Sequence, residues 1–171
     1  TQEQYGALLG YNPSEVKGKS NPVTNVTYWE AMYYVRKLTE NERTASRLTA
    51  EEEYRLPMEG EWEYACRAGT KTMFYYGNEV ELLKNYANYE NLDGVKSVKQ
   101  KFPNPWGLYD MMGNVSEFCY NQAYSYESKY IRGSVGMTKG GLIIYRGNTL
   151  MNYCRGGAWN LGVIHCRSAM R

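Results

Sequence analysis

Histidine is nearly absent from this sequence: His165 is the single copy. The four cysteines, at 66, 119, 154 and 166, never fall in Cys-x-x-Cys spacing, which argues against a zinc site. His165 next to Cys166 invites a Cys/His nucleophile reading, but neighbours on a strand face opposite ways, so a hydrogen-bonded or surface histidine is expected. No apolar run approaches the ~18 residues of a membrane span. Net charge is only +2, with no basic run interleaved with aromatics, which argues against nucleic acid as a partner. No GxSxG, P-loop or dinucleotide fingerprint occurs, and there is no internal repeat or low-complexity tract.

What is present points to one domain over 1–171, large enough for a sizeable core. Tyrosine is abundant, with 18 copies. Tyrosine is stiff and amphipathic, so it serves binding surfaces and loop-rich cores alike, and both uses stay open. The four cysteines allow three pairings, and four free thiols stand beside them as an alternative.

The stretch from Phe102 to Phe118, FPNPWGLYDMMGNVSEF, organises the rest. Pro103-Asn104-Pro105 forbids helix and fixes an extended entry. Trp106, Leu108 and Tyr109 bring apolar mass into a loop. Met112-Gly113-Asn114 is a turn signal, with Gly and Asn able to take positive φ. Gly113 to Glu117 then offers consecutive carbonyls, an amide and one carboxylate, the oxygen-only donor set of a hard cation such as calcium. A rigid turn with Glu117 in a salt bridge is the alternative.

Around this stretch the pattern predicts a short helix from Thr1 to Leu9, stopped by Gly10. Breakers fill 11–26. A helix opens at Thr27, which forms a capping box with Glu30, and ends near Asn41. Its apolar stripe would carry Trp29, Met32, Tyr33 and Leu38. Residues 43–53 read as a charged loop, Glu53 to Leu56 as a short strand, and Pro57 to Ala68 as a second helix burying Trp62, Ala65 and Cys66. Glu59, Glu61 and Glu63 suit its first half through the helix dipole rather than as a catalytic cluster. Leu142 to Tyr145 reads as a strand after a tyrosine-rich segment with Tyr120, Tyr124, Tyr126 and Tyr130.

FPNPWGLYDMMGNVSEF resembles the central signature of the formylglycine-generating enzyme (sulfatase-modifying factor) family. Three more stretches resemble the family's motifs in the same order: NPVTNVTYWEA at 21–31, YRLPMEGEWEYACR at 54–67, and RGGAW at 155–159 followed by CRSAMR at 166–171. The resemblance implies an α+β fold of C-type-lectin-like kind, loop-rich, with two main helices packed on short antiparallel strands. It also implies that the chain starts inside the family's first helix and stops before its last strand, as a piece of a longer protein would. It suggests pairing of Cys66 with Cys166 and of Cys119 with Cys154, and with two disulfides an extracytoplasmic or cell-surface location.

The same resemblance implies structural calcium. Asn88, Tyr89, Asp93 and Val95 are candidate ligands for one ion, and Met112, Gly113, Val115 and Glu117 for a second. For oxidation, the family holds copper(I) with two thiolates, because soft ligands select that ion. Counted from Gly156-Gly157-Ala158, the first cysteine falls on Leu161 and the second on Cys166, but the segment is shorter than in the family's enzyme and alignment from Arg171 puts Cys166 in a structural position instead. A leucine cannot bind copper, and the family's active-site serine is Ala158 here. Copper is therefore not expected. The expected function is a non-catalytic domain that binds a protein or peptide, or serves as a subunit of a larger assembly, and it includes the diversified ligand-binding class. Phe118, Trp159, Asn160, Leu161, Val163 and His165 would line the binding face. The alternative is a copper-dependent oxidase with an altered site, in which Cys166 would be catalytic.

Overall fold

Thr1 and Gln4 form a reciprocal capping box that starts α1 (Gln2–Leu9), and Gly10 closes it in the left-handed conformation at φ 79°. The computed structural model describes residues 1–123 and 151–170. Gln2 is buried, and its amide does local work. It donates to the carbonyls of Val16 and Pro22 and accepts from Gly18 N and Asn12 Nδ2. One side chain thus orders the breaker-rich connection that follows α1.

Thr27 and Glu30 cap α2 (Tyr28–Thr44) as the sequence implies. The helix runs on past Asn41 because Glu42, Arg43 and Thr44 contain no breaker. Its buried face is not the expected stripe. Trp29 is 72% exposed and Tyr33 is exposed, whereas Tyr28 and Thr39, three turns apart, are buried. Tyr34 stacks on Tyr5 of α1, with ring centroids 5.2 Å apart.

The strand expected over Glu53 to Leu56 does not form. Tyr54 N donates to the Thr39 hydroxyl at 2.9 Å rather than to a neighbouring strand, so α2 satisfies the extended segment. α3 (Glu59–Arg67) starts just after Pro57, with Glu61 accepting from Met58 N, and ends at Ala68 in the left-handed region. It buries Glu59, Trp62 and Cys66. A 3₁₀ turn spans Val80–Asn85.

β1 (Glu117–Ala123) pairs antiparallel with β2 (Met151–Arg155), setting Glu117 opposite Arg155 and Phe118 opposite Cys154. An irregularity follows Phe118. A second 3₁₀ turn, Val163–Cys166, carries His165, so the strand alternation expected there does not apply. The core joins Trp62, Phe74, Tyr75, Leu83, Met112 and Cys119 among others. Helices packed on a short antiparallel sheet make this an α+β fold. Among the described residues, no helix is long and apolar enough to cross a membrane.

The implied disulfides do not form, and all four cysteines are free thiols. The β register puts Phe118, not Cys119, across from Cys154, so the two cysteines lie on opposite faces of the ribbon. Cys66 Sγ instead approaches the Met111 carbonyl at 3.7 Å. The ground for an extracytoplasmic location is thereby removed. Tyr124, Tyr126, Tyr130 and the strand at Leu142 to Tyr145 lie outside the described residues.

The three glutamates of α3 take separate structural roles. Glu61 pairs with Arg55. Glu59 and Glu63, one turn apart on one face, both engage Arg155 Nη2, at 2.8 and 2.9 Å. Arg155 is fully buried, and its Nη1 donates to the Met170 carbonyl at 2.8 Å. This one guanidinium joins α3, β2 and the C-terminal segment.

Candidate functional site

The turn at Met112-Gly113-Asn114 is where separate loops meet. Gly113 has φ 75° and bridges in parallel to Asn88, and its N–H donates to the Gly156 carbonyl at 2.6 Å. A Cβ here would overlap the Asn88 carbonyl oxygen, so close backbone approach requires glycine. Asn114 follows at φ 61°, a conformation asparagine tolerates. Its main chain donates to Asn88 O and accepts from Trp159 N, at 2.7 and 2.9 Å. Its buried side chain accepts from Lys96 N at 3.0 Å and donates to Lys96 O at 3.1 Å. One asparagine therefore ties three other loops to the central turn.

Beyond this hub, Glu117 lines a cleft of about 410 Å³ with Asp110, Asn114, Val115, Leu108 and Tyr109. Trp62 Nε1 donates to Glu117 Oε2 at 2.7 Å. Burial pushes the Glu117 carboxyl up to about 7, the Trp62 hydrogen bond opposes this, and the Asp110 charge adds to it. Asp110 accepts from Lys99 N at 2.8 Å and is also raised by burial. Lys99, Asp110 and Asn114, which line this cleft, all have positive φ, and of the three Lys99 is the residue type least suited to it. Among the described residues, no ion pair joins a cationic side chain to Glu117, whose carboxylate is met instead by the Trp62 N–H. A buried carboxylate without a cationic partner is a donor of the kind a hard cation takes. The sequence pointed to Glu117 and the carbonyls of Met112, Gly113 and Val115 but missed Asp110 and Trp62. The signal for Trp62 was its obligatory N–H, which when buried needs an acceptor.

The other cation set is arranged differently. Asn88 Oδ1 accepts from Asn91 Nδ2 at 2.6 Å. Tyr89 packs its ring against the core. The Asp93 side chain is 77% exposed and pairs with Lys96 at 3.2 Å. Among the described residues, no group of three His, Cys, Asp or Glu side chains could hold a metal.

The expected ligand face is a turn fastened by its main chain. Trp159 N donates to Asn114 O, Trp159 O accepts from Asn91 N, and Leu161 O accepts from Glu90 N, at 2.9, 2.8 and 3.2 Å. Asn160 is exposed, Trp159, Leu161 and His165 are half-buried, and Val163 rests against the core. Phe118 packs edge-on against Tyr28 at 5.9 Å. Cys166 is fully buried and Leu161 is half-buried. Burial pushes the Cys166 thiol up to about 12.

This geometry has relatives. A chaperone protein, LppX, of Paenibacillus barcinonensis is 30% identical over 164 residues, covering 70% of this chain and 59% of that protein. The formylglycine-generating enzyme of Mycobacterium tuberculosis is 35% identical over 117 residues, 61% of this chain and 34% of the enzyme. The chain thus spans less than two thirds of the length of these curated relatives. The solved structure of Treponema denticola variable protein 1 superposes with a TM-score of 0.77 at 27% identity, covering 100% of this chain and 74% of that one. Residues 2–171 match the family described as sulfatase-modifying factor enzyme 1-like domain, and the chain belongs to that family.

Proposed function

We propose that this chain is a non-catalytic member of its family that binds a protein or peptide partner through the turn at Trp159 to His165. The observation that carries the reading is how this turn is held. Its main chain is anchored to Asn114, Asn91 and Glu90, so its position does not depend on its outward side chains. Such a turn accepts changes at Trp159, Asn160 and Leu161 without losing its shape, which is what a display surface requires. Likeness to a protein named as variable and to one named as a chaperone supports this class of role. Leucine at 161 supports the absence of a two-thiolate copper site.

Calcium bound by Glu117 and the carbonyls of Met112, Gly113 and Val115 has a structural role in this reading. It pins the central turn that carries Asn114, and through Asn114 the binding turn.

Panning a displayed peptide library on the purified chain tests the reading. Recovered peptides should lose binding to W159A and L161A while both variants keep the parental circular dichroism and urea midpoint. One copper(I) per chain, with dioxygen-dependent oxidation of a cysteine peptide, would overturn it.

A further inference from the structure

We infer that the Asn88–Val95 loop is closed by side-chain amides in place of the calcium ion its family resemblance implies. Asn91 Nδ2 stands as the surrogate. It donates to Asn88 Oδ1 at 2.6 Å and to the Gly94 carbonyl at 3.4 Å. Asn88 Nδ2 adds a second bond to the same Gly94 carbonyl at 3.2 Å. The Asn91 Oδ1 in turn accepts from Asp93 N at 2.8 Å, and its main-chain N–H donates to Trp159 O. Every hydrogen-bonding group of the Asn91 side chain is therefore committed within the loop.

An amide N–H and a cation compete for the same oxygen lone pairs. Asn88 Oδ1, the one neutral side-chain ligand expected there, already has a donor at short range. Asp93, the one anionic ligand expected there, faces solvent and its charge is met by Lys96. Three ammonium side chains, Lys84, Lys96 and Lys101, line the cleft of about 680 Å³ against this loop, against one carboxylate, Glu90. This field disfavours a divalent cation. The Glu117 cleft has the opposite charge balance, with two carboxylates, Asp110 and Glu117, against one ammonium, Lys99. The two sets therefore differ in charge, with three ammonium groups against the Asn88 loop and two carboxylates in the Glu117 cleft. The inference rests on the family resemblance that assigns an ion to this loop, and it does not depend on calcium binding at Glu117.

Calcium per chain is counted by atomic spectroscopy after chelation and equilibrium dialysis at pH 8, for the parent, D93N and E117Q. The expected result is one ion in the parent, one in D93N and none in E117Q. Two ions in the parent, or loss of an ion in D93N, would overturn the amide-closed loop. No ion in the parent would remove the Glu117 assignment and leave the amide-closed loop supported. N91A supplies a readout independent of stoichiometry. Its thermal midpoint should fall by roughly 5 °C equally in calcium and in chelator, from the loss of the surrogate's hydrogen bonds. A fall seen only in calcium would show that Asn91 acts through an ion and would refute the inference.

Discussion

Glu117 makes the pH dependence of stability a direct probe of the central cleft. In the folded chain burial raises its carboxyl from the ordinary 4.5 to about 7. Between those values the native state holds a proton that the unfolded state has released, so stability falls as pH rises through the window. At about 1.4 kcal/mol per pH unit, charging Glu117 without a cation costs roughly 3 kcal/mol at pH 8. That is a large part of a typical folding free energy of about 5–15 kcal/mol. E117Q keeps an oxygen to accept from Trp62 Nε1 and removes the charge. Urea denaturation in chelator at pH 5, 6, 7 and 8 isolates the group as the difference between parent and variant. The parent should lose up to roughly 3 kcal/mol relative to E117Q between pH 5 and 8. Calcium at a hundredfold excess over its dissociation constant should restore about 2.7 kcal/mol to the parent and nothing to E117Q. A difference that stays flat from pH 5 to 8, or that grows in the parent's favour without calcium, would refute the argument that this carboxylate is buried without compensation.

Three other outcomes follow from single contacts. G113A should destabilise by about 3 kcal/mol or more in urea, since it adds left-handed strain to overlap with Asn88, and a cost under about 1 kcal/mol would contradict the packed bridge. R155L should cost about 3–5 kcal/mol because it leaves Glu59 and Glu63 charged without their partner. A triple variant that also replaces both glutamates by leucine should recover most of that loss in a double-mutant-type cycle, and equal losses in the single and triple variants would show that packing alone matters. The thiols of Cys66, Cys119 and Cys166, pushed up to about 12 by burial, should react with a disulfide reagent at pH 8 only as the chain unfolds, whereas rapid titration of any of them in the native state would place it outside the core.

The order of motifs along the chain carried the family, and short-range chemistry carried the helices. Thr27 with Glu30, Gly10 after Leu9, and Pro57 before Trp62 act within a few residues, so each could be read without the fold. The extent of α2 and its buried face could not. Trp29 and Tyr33 are as apolar as any core residue, but which side of α2 meets α1 and Phe118 depends on partners distant in sequence. Glu53 to Leu56 has strand character, yet a strand needs a neighbour, and Thr39 supplied the hydrogen bond first.

The sequence by itself determined the family and the positive-φ turn at Gly113-Asn114. These depend on residue identity and local spacing. Tertiary structure alone decided that Trp62 holds Glu117, that Arg155 is closed between Glu59 and Glu63, that Cys119 faces away from Cys154, and that the Asn91 amide reaches Asn88 Oδ1. Each of these depends on direction: where a lone pair or an N–H points once distant segments have packed, a quantity that spacing along the chain does not encode.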